Sequence, residues 1–274
     1  QLLVKNMVGR ELDKQFPRHQ TEAGSIRLEV SKVTVPDQTG KPVPVVDGVS
    51  FSVRGGEIVG LAGLQGSGNS ELVNGIFGSY GDTVSGEVKV DGEVMGRRSP
   101  GLSIKKGLAL LTNDRKETGL VPTMNIIENT TLASLGKYSP MMWLRPGRQE
   151  ASAMRHQKEL NIKAATLKIS VVNLSGGNQQ KVVLAKWIET EPKVLLLDEP
   201  TRGVDVGAKH EIYELMNSWT AGGISIVLIT SEMPELLAMS DRIIVMHRGK
   251  ISAEFASGEA TQEKILNAAM GGQN

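Results

Sequence analysis

Alternation between apolar and polar positions begins at Ile26 and predicts the first β-strand of the chain. A second strand is expected at Val49–Val53, and residues 84–94 are expected to form a hairpin with Asp91 and Gly92 at its turn. Other short runs are apolar almost throughout, as is typical of strands buried inside a parallel sheet. They are Glu57–Ala62, Leu108–Leu111, Val194–Leu197, Ile224–Ile229 and Ile243–Met246.

Helical spacing of apolar residues separates these runs. One helix is expected directly after the first run, with Leu72, Val73, Ile76 and Phe77 on one face. From Met124 to about Glu191 the pattern is helical. Strands that alternate with helices in this way indicate an α/β fold, with a mostly parallel sheet covered by helices on both faces.

The same pattern predicts how the chain is divided into domains. Residues 1–24 are polar, contain a proline and show no period, so we interpret them as a linker or arm from a preceding domain. Residues 25–274 are expected to form one domain. A helical subdomain is expected to be inserted into it at about 113–190.

Composition excludes several classes of protein. The 274 residues are 39% hydrophobic and 22% charged, with a net charge of +1, so nucleic acid is not indicated as a partner. The absence of cysteine excludes disulfides and thiolate metal sites. No apolar run approaches the roughly 20 residues that cross a bilayer, so any membrane role requires a partner chain. The histidines lack metal-ligand spacing and are expected on the solvated surface: His19, His156, His210 and His247.

A glycine-rich loop lies between a predicted strand and a predicted helix. Backbone N–H groups of such a loop can surround a phosphate, although a tight turn without a ligand is an equally good interpretation of this segment alone. The hydroxyl of Ser70 is placed to bind Mg²⁺, but Asn69 occupies the position of the lysine expected in such a loop. The candidate ATP-binding residues are Gly63, Leu64, Gln65, Gly66, Ser67, Gly68, Asn69 and Ser70.

A second candidate anion site has the sequence LSGGNQQK. A serine and two glycines at a predicted helix start expose N–H groups where the helix dipole favours negative charge. The alternative is an ordinary serine N-cap, which leaves the glycine pair unexplained. The residues are Leu174, Ser175, Gly176, Gly177, Asn178 and Gln179.

Two adjacent carboxylates follow the apolar run Val194–Leu197. Ligands of α/β sheets bind at the carboxyl ends of the strands, so Asp198 is expected to hold Mg²⁺ and Glu199 to polarise an attacking water. A solvated acidic turn is the alternative interpretation.

Together these three motifs resemble those of ATP-binding-cassette (ABC) ATPases. LSGGNQQK matches the signature motif of that family, and the resemblance covers nearly the whole chain. Four further segments of the sequence are similar to the second cassette in ATP-binding subunits of bacterial ribose-, galactose- and xylose-type importers. The segments that carry this closer resemblance are MVGREL, NDRKETGL, EPTRGVDVGAK and ITSEMPELLAMSDR.

The resemblance implies a P-loop NTPase core of the ABC type, with an antiparallel β subdomain and an inserted helical subdomain. Two cassettes would enclose ATP and Mg²⁺ head to tail, each signature motif completing the site of the other cassette. Asp205 matches the D-loop, which reaches across the pair. The segment from Asn113 to about Leu132 matches the region that meets the transmembrane partner.

Departures from the family pattern affect this chain's own site. Asn69 replaces the phosphate-binding lysine, which removes a charged donor worth roughly 1.5–3 kcal/mol. Ser231 replaces the switch histidine, and Asn113 stands where glutamine or glutamate is usual. No aromatic residue between Phe16 and Phe51 is available to stack on adenine. We therefore expect a degenerate phosphate loop and an intact signature motif.

The partners implied are a first cassette on the same natural polypeptide, transmembrane permease subunits and, indirectly, a periplasmic or extracellular sugar-binding protein. The expected location is peripheral, on the cytoplasmic face of the inner membrane. Two alternatives stay open: a soluble cassette protein of translation or DNA repair, and a nucleotide-sensing pseudoenzyme. The first normally keeps the lysine and carries strongly charged inserts, whereas the intact signature and carboxylate pair argue against the second.

Overall fold

The computed structural model describes residue 16, residues 18–19 and residues 21–272. Most of the predicted linker or arm over 1–24 therefore lies outside the described residues. Its described end packs on the core, where the ring of Phe16 lies 5.2 Å from that of Tyr213 and Arg18 pairs with Asp241. This end of the segment is attached to the domain, which the polar sequence did not indicate.

The strands form two sheets. Their bounds are β1 Ile26–Val35, β2 Val46–Arg54, β3 Ile58–Gly63, β4 Ser85–Val90, β5 Glu93–Val94, β6 Leu108–Leu111, β7 Val194–Asp198, β8 Ser225–Ile229, β9 Arg242–His247 and β10 Lys250–Ala256. Within the described residues the larger sheet has the order β10-β9-β3-β8-β7-β6 and is parallel except for the β9–β10 pair. The mostly parallel sheet expected from the apolar runs is confirmed.

The smaller sheet is antiparallel and has the order β2-β1-β4-β5. The predicted hairpin is present, with β4 and β5 joined through Asp91 and Gly92. Strand β2 starts at Val46 rather than at the predicted Val49, because Val46 pairs with Val35 at the end of β1. Cross-strand pairing thus extends the strand beyond its alternating segment.

Helices connect and cover the sheets. Their bounds are α1 Asn69–Phe77, α2 Pro100–Lys105, α3 Ile126–Thr131, α4 Pro146–Glu159, α5 Gly176–Ile188, α6 Val206–Ala221, α7 Met233–Met239 and α8 Gln262–Ala269. A π-helical turn, Arg115–Gly119, and several 3₁₀ turns accompany them. Among the described residues, none of the helices combines the length and apolar character that crossing a membrane requires.

The larger sheet separates two apolar clusters. In β7, Leu196 faces a cluster shared with the antiparallel sheet and α1, whereas Leu195 and Leu197 face a cluster shared with α5 and α6. Both sides of β7 are buried, which explains its continuous apolar run. The sheet is consequently packed on both faces, and the loops described below follow the carboxyl ends of its strands.

The surface assignment of the histidines is wrong for His156. This side chain is 2% exposed, and its Nε2 lies 2.6 Å from a carboxylate oxygen of Glu189, at the end of α5. A polar side chain can be buried when a partner satisfies it, and the partner lies on a different helix. Residue spacing therefore gave no sign of it.

Candidate functional site

A cleft of about 570 Å³ lies at the carboxyl end of the parallel sheet. It brings together the loops that follow β3, β6, β7 and β8, as expected for ligand sites of α/β sheets. The predicted ATP-binding residues from Gly63 to Ser70 line it, together with Asn113, Asp198, Glu199 and Ser231. Segments separated by as much as 168 residues in sequence (231 − 63) therefore meet at one site.

Backbone shape in the glycine-rich loop depends on glycine. Gly66 and Gly68 have φ values of 79° and 100°, in the left-handed region that other residues rarely adopt. A Cβ at Gly68 would also lie 2.6 Å from the Val45 carbonyl oxygen. Helix α1 starts after Gly68 with no side-chain cap, so the N–H groups of its first turn are available to an anion.

Asn69 brings no charge to this loop. Its side chain is 9% exposed, and its Nδ2 lies 3.5 Å from the carbonyl oxygen of Leu61 in β3. Its Oδ1 has no hydrogen-bond partner among the described residues. The amide is therefore turned partly toward the sheet, and the loop offers an anion backbone dipoles without a cation at this position.

Asp198 is buried at the base of the cleft, with 2% exposure. Burial raises the pKa of its carboxyl to about 6, although the Ser70 hydroxyl lowers it. Its Oδ1 has no partner among the described residues. An unpaired carboxylate oxygen beside a hydroxyl fits a small hard cation that takes its other ligands from phosphate and water, as Mg²⁺ does. The described residues contain no cluster of three acidic or histidine side chains that would enclose a metal by itself.

Glu199 has a φ of 54°, which is unusual for a residue with a side chain. Ser231 holds its carboxylate: the backbone N–H donates to Oε1 at 2.9 Å and the hydroxyl donates to Oε2 at 3.2 Å. Ser231 thus lies in the cleft, as predicted, but contacts the adjacent carboxylate. It supplies no positive charge there.

Sequence reasoning missed Arg202 and Glu71, which also line the cleft. The positive charge of Arg202 acts to lower the pKa of Asp198, whereas Glu71 acts to raise it. Arg202 is exposed and only three residues beyond Glu199, so its proximity to the carboxylate pair could have drawn attention to it.

Asp205 lies outside the cleft lining, at the N-terminus of α6. Its Oδ1 accepts a hydrogen bond from the N–H of Ala208 at 3.0 Å, and the residue is exposed. The residue assigned to the D-loop is therefore an exposed N-cap that does not line the cleft of its own chain.

The six residues 174–179 also lie outside this cleft, at the start of α5. Ser175 is the N-cap by position, but its hydroxyl accepts a hydrogen bond from Asn178 Nδ2 at 2.8 Å rather than from a backbone N–H. The ordinary serine cap considered above is thus absent. Ser175 is exposed, and the N-terminus of α5 has no side-chain cap.

Packing gives the glycine pair a second reason. A Cβ at Gly177 would lie 2.7 Å from the Cβ of Ala208, and one at Gly176 would lie 3.0 Å from the carbonyl oxygen of Gly203. These glycines allow α5 to approach the turn before α6 closely. Close packing therefore accounts for the glycine pair, which an ordinary serine cap left unexplained.

Comparison with known proteins agrees with this arrangement. Residues 46–202 match the family model described as ABC transporter. The chain is 46% identical over 271 residues to the xylose import ATP-binding protein XylG of Thermoanaerobacter pseudethanolicus, covering 99% of this chain and 54% of that protein. It is 45% identical over 271 residues to the ribose import ATP-binding protein RbsA of Bacillus licheniformis, covering 99% and 53%. The chain therefore spans about half the length of these relatives.

Solved structures show the same fold. A nucleotide-free ATP-binding cassette from an ABC transporter superposes with a TM-score of 0.71 at 23% identity, covering 89% of this chain and 95% of that one. The dimeric post-hydrolysis structure of the cassette MJ0796, bound to ADP and Pi, gives a TM-score of 0.72 at 23% identity, covering 84% and 98%. The predicted cassette core, with its antiparallel sheet and inserted helices, is confirmed.

Proposed function

Because this chain belongs to the ABC transporter family, we propose that it is the second ATP-binding cassette of a bacterial sugar importer, with an intact signature motif and a degenerate phosphate loop. The names of the xylose and ribose relatives support the sugar class. Their length, about twice the matched region, supports a first cassette on the same polypeptide. The observation that carries the proposal is the start of α5, which lies outside the chain's own cleft, has no side-chain cap and presents an exposed Ser175.

In this proposal the two halves of the chain serve different ATP molecules. The N–H groups of the loop before α1 bind the phosphates of the chain's own nucleotide. Ser175 and the first-turn N–H groups of α5 bind the γ-phosphate of the partner cassette's nucleotide, which only a second cassette can bring there. Asp205, which lies outside the chain's own cleft, reaches toward the same partner site.

The chain's own site would hold nucleotide weakly. Ser70 and Asp198 would hold Mg²⁺, which when bound neutralises charge on the phosphates. Glu199 is positioned to orient a water, but among the described residues no lysine or histidine lines the cleft to stabilise charge on the phosphate oxygens. Ser231 donates hydrogen bonds to the Glu199 carboxylate and supplies no positive charge to the phosphates. The site therefore favours binding over turnover.

The remaining partners follow from the same proposal. Asn113 to about Leu132 would meet a transmembrane permease subunit, and a sugar-binding protein would act through that permease. The domain would lie peripherally on the cytoplasmic face of the membrane. The π-helical turn at Arg115–Gly119 lies in this segment and is joined to α5, because Lys186 Nζ donates to the carbonyl oxygen of Gly119 at 2.6 Å.

Nucleotide binding and turnover by the 274-residue chain test the degenerate site. We expect phosphate release near background and weak Mg-ATP binding. Asn69→Lys should tighten binding by about tenfold or more, the equivalent of a charged hydrogen bond of roughly 1.5–3 kcal/mol, and restore little turnover while Ser231 remains. Titration calorimetry measures the affinity, and a phosphate-release assay measures the rate.

Asn74→Lys is the matched control, since it adds the same charge to α1 at a position that does not line the cleft. Its affinity should equal that of the unchanged chain. Robust turnover by the unchanged chain, or equal tightening by both lysine variants, would contradict the proposal.

A further inference from the structure

Glu235 is a fully buried carboxylate in the first turn of α7, with 0% exposure. One oxygen, Oε2, accepts hydrogen bonds from two hydroxyls, Thr201 Oγ1 at 2.8 Å and Thr230 Oγ1 at 2.9 Å. The other oxygen, Oε1, has no partner among the described residues. Burying such a group costs free energy that an apolar side chain of similar size would not cost.

The two hydroxyls belong to the two loops that frame the nucleotide cleft. Thr201 lies in the turn that runs from Glu199 to Asp205, and Thr230 directly precedes Ser231. On the cleft side, Ser231 holds the Glu199 carboxylate. The turn after β7 and the loop after β8 are therefore joined twice: by Ser231, which lines the cleft, and by Glu235, which is buried.

A further contact links the same helix to α6. The Lys209 ammonium, in the first turns of α6, pairs with the Glu232 carboxylate just before α7. Asp205 caps α6. The loop after β8, the turn after β7 and the start of α6 consequently form one hydrogen-bonded unit.

Burial has a measurable consequence for stability. It raises the pKa of Glu235 to about 7; the Thr201 and Thr230 hydroxyls lower it, while Glu232 raises it and Lys209 lowers it. Because this pKa is above its ordinary value of 4.5, folding favours the protonated form. The associated stability is complete below about pH 4.5 and is lost as the pH rises through about 7. In the unchanged chain, the free energy of unfolding measured with denaturant should fall between about pH 5 and pH 8, and in Glu235→Gln this fall should be absent. An equal fall in the variant would contradict the assignment to Glu235.

We propose that Glu235 is a positioning residue that makes the Glu199–Asp205 turn and the Thr230–Glu232 loop move as one unit, so that nucleotide in this chain's own cleft changes the turn at Asp205. The consequence for a partner cassette rests on the proposed function. This chain's own cleft, although weak in catalysis, would then still control Asp205, which in the proposed function reaches toward the partner cassette's site.

Amide hydrogen exchange of the 274-residue chain with saturating Mg-ATP tests the proposal. In the unchanged chain, nucleotide should slow exchange both in the loop at 63–70 and at 204–208, where the N–H of Ala208 bonds to Asp205. Glu235→Gln retains an oxygen acceptor and should show the same slowing at both segments as the unchanged chain. Glu235→Met has similar size but no carboxylate, and should lose the slowing at 204–208 by about fivefold or more while keeping it at 63–70.

Three threonine variants complete the design. Thr201→Val and Thr230→Val each remove one hydroxyl from Glu235 and should reproduce the loss. Combined with Glu235→Met, Thr201→Val should add no further loss, whereas Thr230→Val also removes the acceptor of the Glu232 N–H, at 3.1 Å. If Glu235→Met fails to fold, Thr201→Val and Thr230→Val test the proposal without it. Thr130→Val is the matched control, because its hydroxyl is equally buried and has no partner among the described residues, and it should change nothing.

Slowing at 204–208 that persists in folded Glu235→Met or in both Glu235-contacting threonine variants would overturn the proposal, as would its absence from the unchanged chain. The readout needs no second cassette. Failure of the two-cassette proposal would thus appear in the assembled transporter and not here, and failure here would leave the Asn69→Lys result unaffected.

Discussion

Ser175→Arg should abolish the ATPase activity of the assembled two-cassette transporter, with a loss of about 10²-fold or more. Ser175 is exposed at the start of α5, and within the described part of the chain its hydroxyl bonds only the Asn178 amide, so we expect the arginine to leave the fold intact. The larger cationic side chain would occupy the space of the partner's γ-phosphate and prevent the two cassettes from closing.

Glu199→Gln should reduce the same activity by less than about tenfold, equivalent to 1.4 kcal/mol of activation free energy. Its carboxylate serves a cleft that lacks the lysine and the histidine, and the amide oxygen can still accept from Ser231. Sugar-stimulated phosphate release in liposomes that contain the permease measures both variants. Ser175→Ala is the control for loss of the hydroxyl alone, and it should be milder than Ser175→Arg because the helix N–H groups remain. Equal damage by Glu199→Gln and Ser175→Arg would show that the chain's own cleft is catalytic.

Glu189→Leu should lower the free energy of unfolding by about 3–5 kcal/mol, the range for removing one partner of a buried ion pair. Glu189 is 4% exposed and joins α4 to the end of α5. Burial raises the pKa of this carboxyl, but hydrogen bonds from His156 and Ser152 outweigh it and hold the pKa at about 2. The donors that would lose their acceptor are Tyr138, Ser152, Arg155 and His156.

Glu191→Leu is the matched control for Glu189→Leu. Glu191 lies two residues farther along, 84% of its side chain is exposed, and it pairs with Lys137 at 2.7 Å. An exposed pair contributes about 1 kcal/mol or less, so this variant should be nearly neutral. Urea unfolding at neutral pH gives both values. Because the pKa of Glu189 is lowered, its contribution is present above about pH 4.5 and is lost as the pH falls through about 2. A similar loss in both variants would refute the special role of Glu189.

Local pattern was sufficient for the elements that build the site. The continuous apolar runs gave β3, β6, β7, β8 and β9 to within a residue or two, because strands buried on both faces need apolar side chains at every position. The loop before α1 was recognisable because Gly66 and Gly68 adopt backbone angles that few other residues can. Such constraints act within a few residues and are therefore readable from the chain itself.

The hydrogen-bond partners of the buried carboxylates could not be predicted from the local pattern, because they are distant in sequence. His156 and Glu189 are 33 residues apart, and Glu235 lies 34 residues from Thr201. Periodicity shows which face of a helix is apolar, but it does not show which distant donor reaches a buried carboxylate. The cost of burying these groups is offset only by partners that the assembled fold brings near.

The sequence by itself determined the strands of the parallel sheet from β3 to β9, the helix after the glycine-rich loop and most of the residues around the cleft, but not Glu71 or Arg202. Tertiary structure alone decided how they are used: Ser231 holds Glu199, Asp205 caps α6, and residues 174–179 lie outside the cleft. Strands and turns follow from local backbone and solvation preferences, whereas the direction of a polar side chain depends on contacts between segments that meet only after folding.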